Sequence, residues 1–149
     1  MAAGNWLLYD NAKEYIGDGT VDLDNDTFYM ALCTNENAGI QVLTLDQYSD
    51  ITTELAAANG YASYGSQIQD VVWQQVSAGT STFSCSRTTW TASGGDIGAR
   101  YAVIYSLSGA SKLICSAVLD TSVVTATDGN TFTVIPHGSG IFALGLGNT

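Results

Sequence analysis

The sequence predicts a single, mainly β domain: an antiparallel β-sandwich or β-barrel with a short N-terminal helix. Strand-like segments rich in aromatic and β-branched residues recur at short intervals, separated by turn residues such as Gly, Asn and Asp. The length of 149 residues fits one domain with a sizeable core. We therefore expect an N-terminal helical arm over residues 1–19 and a β core over residues 20–149.

The N-terminal segment carries the helix-like pattern. Asn5 can cap a helix and Gly17 can end one, so the sequence predicts a helix from Asn5 to Ile16. Trp6 and Tyr9 belong to an apolar stripe that is only partial. We expect this helix to pack on the sheet or on a neighbouring subunit.

The hydrophobic period then changes from that of a helix to that of a strand. The segment Phe28–Thr34 alternates, with Phe28, Met30 and Leu32 on one face and Tyr29, Ala31 and Cys33 on the other. Because both sets are largely apolar, we expect a strand that is covered on both faces. Residues 35–58 are less regular and are interpreted as a long surface excursion, and Asn59-Gly60 predicts a tight turn.

Further strands are predicted in the second half of the chain. The Arg100–Tyr105 and Lys112–Leu119 segments are predicted to form a hairpin, and the final segment, Gly140–Leu146, to close the sheet. The other predicted strands are Gln67–Val76, Thr80–Ser86, Thr88–Ala92 and Thr131–Ile135.

Charge limits the classes of partner. Four Lys and Arg stand against 14 Asp and Glu, a net charge of −10, so no basic face for nucleic acid or anionic membrane is expected. The charged fraction of only 12% suits a protein packed against other subunits. The start of the chain has neither a basic n-region nor a long apolar run, which predicts folding in a reducing cytoplasm. The three cysteines, Cys33, Cys85 and Cys115, are interpreted as small buried hydrophobic residues.

The motifs that could carry chemistry favour a protein that is not an enzyme. The one histidine, His137, lies in a Pro-His-Gly turn, and no serine has the surroundings of a nucleophile elbow. The Asp22–Asp26 segment begins like a calcium loop, but Thr27 and Cys33 stand where that loop requires Gly and Glu. We interpret it as a solvated acidic turn. No catalytic residue, metal site or cofactor is predicted.

Several blocks of the sequence resemble a known family of small structural proteins. In order and spacing they are similar to capsid decoration, or cement, proteins encoded among the head genes of tailed bacteriophages. The resemblance spans nearly the whole chain. It implies a virion protein that binds the outer surface of the assembled major capsid protein and stiffens the shell. The blocks are Ala12-Lys-Glu14, Gly19–Thr27, Phe28–Cys33, Tyr48–Glu54, Asn59-Gly-Tyr61, Arg100–Tyr105 and Gly140–Leu144.

Two segments are candidate contact surfaces within that interpretation. Trp6, Leu7 and Tyr9 form one, because their apolar stripe is poorly matched to burial within one small domain. The excursion from Asn35 to Tyr48 is the other, because loops often carry recognition. We expect a homo-oligomer, with a trimer favoured. The alternatives are a tail, neck or fibre-associated virion protein, or a carbohydrate-binding module that uses the abundant Trp and Tyr.

Overall fold

A computed structural model of the chain describes residues 2–34 and 43–145. It contains one α-helix, α1 (Ala12–Asp18), a 3-10 turn (Tyr48–Asp50) and twelve strands within those residues. The strands are β1 (Trp6–Leu8), β2 (Phe28–Cys33), β3 (Ser66–Gln67), β4 (Val72–Ser77), β5 (Thr80–Ser84), β6 (Thr88–Thr91), β7 (Ile97–Ala99), β8 (Tyr101–Ser106), β9 (Lys112–Val118), β10 (Val124–Ala126), β11 (Thr131–Val134) and β12 (Phe142–Gly145).

The largest sheet has five strands in the order β1-β9-β8-β2-β3, and its pairs are antiparallel. Strand β8 lies at its centre and all six of its residues are buried. The β8–β9 pair is the predicted hairpin, which is therefore confirmed. A bulge shifts the register between Ile104 and Tyr105, so that Ile104 pairs with Cys115 and Tyr105 with Leu113.

This sheet is packed on both faces. The larger core holds Phe28, Met30 and Leu32 of β2, and the smaller core holds Ala31 and Cys33 from the opposite face of that strand. The predicted alternation and two-sided burial of β2 are confirmed. The smaller core consists of Tyr9, Ala12, Ala31, Cys33, Tyr101, Val103, Tyr105 and Leu113.

Three small antiparallel sheets contribute to the larger core. They pair β10 with β7, β11 with β6, and β12, β5 and β4 in that order. Phe83, Trp90, Ile97 and Phe132 bring their strands into the same apolar cluster as β2 and β8. The fold is thus mainly β and compatible with a sandwich, and none of the sheets in the described residues closes into a barrel.

The predicted helix from Asn5 to Ile16 is wrong in its first half. Trp6–Leu8 is strand β1, which pairs with the outer edge of β9, Trp6 opposite Ala117 and Leu8 opposite Cys115. The free edge of β9 offers backbone partners that a marginal, partly amphipathic helix does not, and the tertiary pairing overrides the local pattern.

The helix itself is shorter and later than predicted. Asn11, not Asn5, occupies the N-cap, and the helix ends at Gly19, which adopts a left-handed φ of 83°. Its Ala12 is buried in the smaller core. The N-terminal segment is therefore an integral edge strand and covering helix of the β domain.

The predicted surface excursion also needs correction where the structure describes it. Residues 35–42 lie outside the described residues. From residue 43 onward the chain covers the smaller core, against which Leu45, Tyr48 and Ile51 pack. Leu55 N–H donates to the carbonyl of Leu32 at 2.8 Å, tying the end of this segment to β2.

Two further strand predictions change in the structure. The single strand expected over Gln67–Val76 is divided between β3 and β4, which belong to different sheets. The break falls at Asp70, whose φ is 52°, and the Ser86 hydroxyl donates to its carboxylate at 2.5 Å. Strand β12, expected to close the sheet, pairs only with β5 at an open sheet edge. The turn at Asn59-Gly60 is confirmed, with φ values of 56° and 90°.

Gly65 provides a test of the packing around β2. Its φ is +76°, and a Cβ there would lie 2.0 Å from the carbonyl oxygen of Met30. We expect Gly65→Ala to lower the free energy of unfolding by about 3 kcal/mol or more, because backbone strain and overpacking add. Chemical denaturation measures this value.

Gly129→Ala is the matched control. Its φ of +85° is equally left-handed, but nothing lies within 4 Å of the added Cβ. It should lose only the strain, about 1–2 kcal/mol. Equal losses in the two variants would show that Gly65 is not held against β2.

Candidate functional site

The structure separates the four predicted interface residues. Trp6 is only 9% exposed and belongs to the larger core, whereas Tyr9 is fully buried in the smaller core. The premise that these apolar side chains cannot be buried within one domain is wrong, because both faces of the sheet are cores. Leu7 is 43% exposed, and Tyr48 is half-buried over the smaller core.

Leu7 and Trp6 line an open depression beside the edge strand β1. It has a volume of about 550 Å³, and His137 and Phe142 also line it. The His137 ring accepts a hydrogen bond from Ser139 N–H at 3.1 Å through Nδ1, so this histidine stabilises its own turn.

Tyr48 belongs to a different surface feature, here called the tyrosine patch. Its rings lie close together: Tyr48 and Tyr105 have centroids 4.6 Å apart, Tyr48 and Tyr64 5.4 Å, and Tyr29 and Tyr105 6.0 Å. Tyr29, Tyr64, Tyr105 and Leu107 line a depression of about 370 Å³. The patch comprises Tyr29, Tyr48, Tyr64, Tyr105 and Leu107.

Tyr64 is the most exposed member of the patch and is held in an unusual conformation. Its side chain is 59% exposed and its φ is 77°, a value that bulky residues rarely adopt. Two long-range hydrogen bonds fix the backbone: Tyr64 N–H donates to Glu54 at 2.8 Å, and Tyr105 O–H donates to the Tyr64 carbonyl at 2.7 Å. The strain is therefore stabilised by tertiary contacts, as at many functional sites.

Glu54 places a carboxylate next to two residues of the patch. One of its oxygens, Oε1, accepts from Tyr61 O–H at 2.8 Å and from Tyr64 N–H, and Oε2 accepts from Tyr48 O–H. Burial raises the pKa of Tyr48, Tyr61 and Tyr105, and the negative charge of Glu54 raises each further. The hydroxyl groups of these three tyrosines therefore stay protonated next to the Glu54 carboxylate.

The acidic turn lies next to the other side of the patch. Leu107 N–H donates to the Thr27 carbonyl at 2.8 Å, and Ser106 O–H donates to Asp26 at 2.6 Å. Within the turn, the Asp22 carboxylate accepts from the side chain and backbone of Asn25 and from Asp24 N–H, which lowers its pKa. The predicted turn is present over Asp22–Asp26, with Asp22, Asp24 and Asn25 exposed.

A second carboxylate–tyrosine arrangement joins helix α1 to the sheet. Lys112 Nζ contacts Asp46 Oδ2 at 2.6 Å and lies 4.5 Å from the centroid of the Tyr15 ring. Tyr15 O–H also donates to Asp46, and Asn11 donates to it at 3.1 Å. The hydrogen bond from Lys112, followed by that from Tyr15, lowers the pKa of Asp46 to about 2. Here one of the four basic residues is held by a carboxylate and a ring together.

The cysteines do not form a reactive centre in the folded chain. Cys33 and Cys115 are buried, Cys85 is half-buried, and all three thiols are free. Burial raises the pKa of Cys85 to about 11 and raises those of the other two as well, which suppresses the thiolate form. Their interpretation as buried residues holds for two of the three.

Comparison with known proteins finds no family model, no curated protein and no solved structure that matches this chain. No helix in the described residues is long and apolar enough to cross a membrane.

The Asp46 network predicts a pH dependence of stability. Because the folded-state pKa of Asp46 is about 2, below its ordinary 3.8, its contribution is complete above about pH 4 and is lost as the pH falls through 2. We expect Asp46→Asn to cost up to about 1 kcal/mol at pH 7, and this difference to vanish near pH 2.

Urea denaturation at pH 7, 4 and 2 measures that difference. A double-mutant cycle with Lys112→Met separates the ion pair from the hydrogen bonds of Tyr15 and Asn11. A stability difference that stays constant with pH would contradict the assignment.

Proposed function

We propose that the protein is a structural subunit of a bacteriophage virion, which decorates or cements the capsid by binding the outer surface of the major capsid protein lattice. The sequence resemblance supports this proposal, and two of its blocks, Phe28–Cys33 and Arg100–Tyr105, fall on the neighbouring strands β2 and β8 of the largest sheet. The protein would be made in the host cytoplasm and act on the capsid surface, without nucleic acid, membrane or cofactor.

The observation that carries the proposal is the exposure of an uncharged sheet edge, strand β4. Strand β4 is the last strand of its sheet, and five of its six residues are exposed. It carries no charge, and its Val76 is 53% exposed. Leu7 occupies the corresponding edge position on β1. Long uncharged edges are a liability in a free monomer, and assemblies cover them.

The charge distribution favours the same kind of partner. A net charge of −10 with only 12% charged residues leaves an acidic but sparsely charged surface. Such a surface can be guided to basic regions of a shell and can then make broad, partly polar contacts. Repetition over a symmetric lattice multiplies modest contacts into stable attachment.

The main test is binding to mature shells that lack the protein, counted by sedimentation. We expect saturable, stoichiometric binding that raises the melting temperature of the shell. Val76→Lys should weaken binding by about tenfold or more, because a lysine both adds charge and blocks the strand edge.

Val123→Lys is the matched control, because Val123 is 39% exposed, lies outside the β4 edge and undergoes the same charge change. Equal losses in the two variants would argue against the β4 edge as the contact. Absence of binding to heads would overturn the capsid proposal. Recovery of the protein with purified tails would then favour the tail, neck or fibre alternative.

Self-association is a separate expectation. We expect a homo-oligomer, with a trimer favoured, because cyclic assemblies match the symmetry axes of a shell. Sedimentation equilibrium should give a mass three times the 15.6 kDa of one chain. A concentration-independent mass of one chain would contradict this expectation without affecting the shell-binding test.

A further inference from the structure

We propose that the tyrosine patch is a docking site for a positively charged side chain, an arginine or lysine, presented by a partner protein. This inference goes beyond attachment to a shell and does not depend on it. It rests on the clustering of the aromatic rings, on the carboxylate bonded to two of the patch residues and on the acidic turn beside them.

The rings provide the first element of the site. The faces of tyrosine rings carry negative electrostatic potential and attract cations placed over them. Tyr29, Tyr64 and Tyr105 line the 370 Å³ depression, and Tyr64, 59% exposed, is the most accessible of the three rings whereas Tyr105 is buried. Leu107, 45% exposed, adds an apolar wall against which the methylene stem of a long basic side chain can pack.

The carboxylates provide the second element. Glu54 accepts hydrogen bonds from the Tyr48 hydroxyl and the Tyr64 N–H, and Leu107 is bonded to Thr27, the residue that follows the acidic turn. A cation in the depression would therefore interact with ring faces and negative charge together. Glu54 has its own hydrogen-bond partners, so it would act through its field and not by direct contact.

The same chain shows this combination holding a cation elsewhere. Lys112 lies over the Tyr15 ring while paired with Asp46, and the Arg100 guanidinium lies 5.3 Å from the Tyr101 centroid. Within residues 2–34 and 43–145 these are the cation–ring contacts, so no basic side chain of this chain lies over the tyrosine patch. The proposed occupant is therefore a basic side chain of another molecule.

The conformation of Tyr64 indicates that the patch is pre-organised. Glu54 and Tyr105 fix its backbone on both sides, and its exposed ring packs against Tyr48 with the centroids 5.4 Å apart. A ring held in place loses little conformational entropy on binding, which favours recognition of a single side chain.

The test uses hexa-arginine as the probe, titrated into the wild-type chain and followed by two-dimensional amide NMR. We expect the largest shifts at Tyr64 and its neighbours. Tyr64→Ala should weaken binding by about tenfold, while Tyr64→Phe, which keeps the ring, should stay within about twofold of the wild type. Neither variant changes the net charge, so general attraction to an acidic protein is held constant, and melting temperatures confirm that both variants fold.

Two further probes complete the design. Hexa-citrulline has nearly the same shape without the charge and should bind at least about tenfold more weakly. A neutral oligosaccharide, maltohexaose, tests a sugar as the occupant. The proposal is overturned if hexa-arginine does not bind, if Tyr64→Ala binds it as the wild type does, if hexa-citrulline binds equally well, or if only the oligosaccharide shifts the patch. Because no shells are used, failure here leaves the capsid proposal standing, and failure of shell binding leaves this one standing.

Discussion

The burial of strand β8 on both faces is the constraint on which the rest of the structure depends. A strand whose six residues are all buried requires an apolar layer on each side of its sheet. The small sheets supply one layer through residues such as Phe83 and Phe132. The N-terminal segment and the chain after residue 43 supply the other, with Tyr9 and Tyr48. The N-terminal segment and the chain after residue 43, which the sequence predicts as an arm and a surface excursion, therefore pack into the core.

The tyrosine patch forms where this second layer ends. Tyr105 is the last apolar residue of β8, and it belongs both to the smaller core and to the lining of the patch depression. Its hydroxyl reaches the backbone of Tyr64, which Gly65 allows to approach β2 closely. The central sheet thus holds the patch in place, because β8, the strand at the centre of the core, also fixes the backbone of the exposed Tyr64.

The sequence predicts those features that depend on local pattern. The alternation in Phe28–Cys33 correctly predicts a strand buried on both faces, and Asn59-Gly60 correctly predicts a turn. The features that were missed depend on distant partners. Trp6–Leu8 becomes a strand because β9 has a free edge. Strands β7 and β10 have three residues each, which is too short for the alternation of apolar and polar residues to be visible in the sequence. The Tyr64 site needs Glu54 and Tyr105, ten and 41 residues away, and its only sequence signal is a tyrosine before a glycine.

The chain has only four basic residues, and one of them, Lys112, is used to stabilise the fold. Lys112 is held by Asp46 and Tyr15, and this contact fixes helix α1 and the segment around Asp46 against β9. That segment continues directly into Tyr48, which packs on Tyr105. A basic residue is thus used inside the fold to hold the second layer in place, while the carboxylates of Glu54 and the acidic turn remain beside the exposed rings. An ion pair that stabilises the covering layer therefore also keeps the aromatic surface in position and leaves that surface negative.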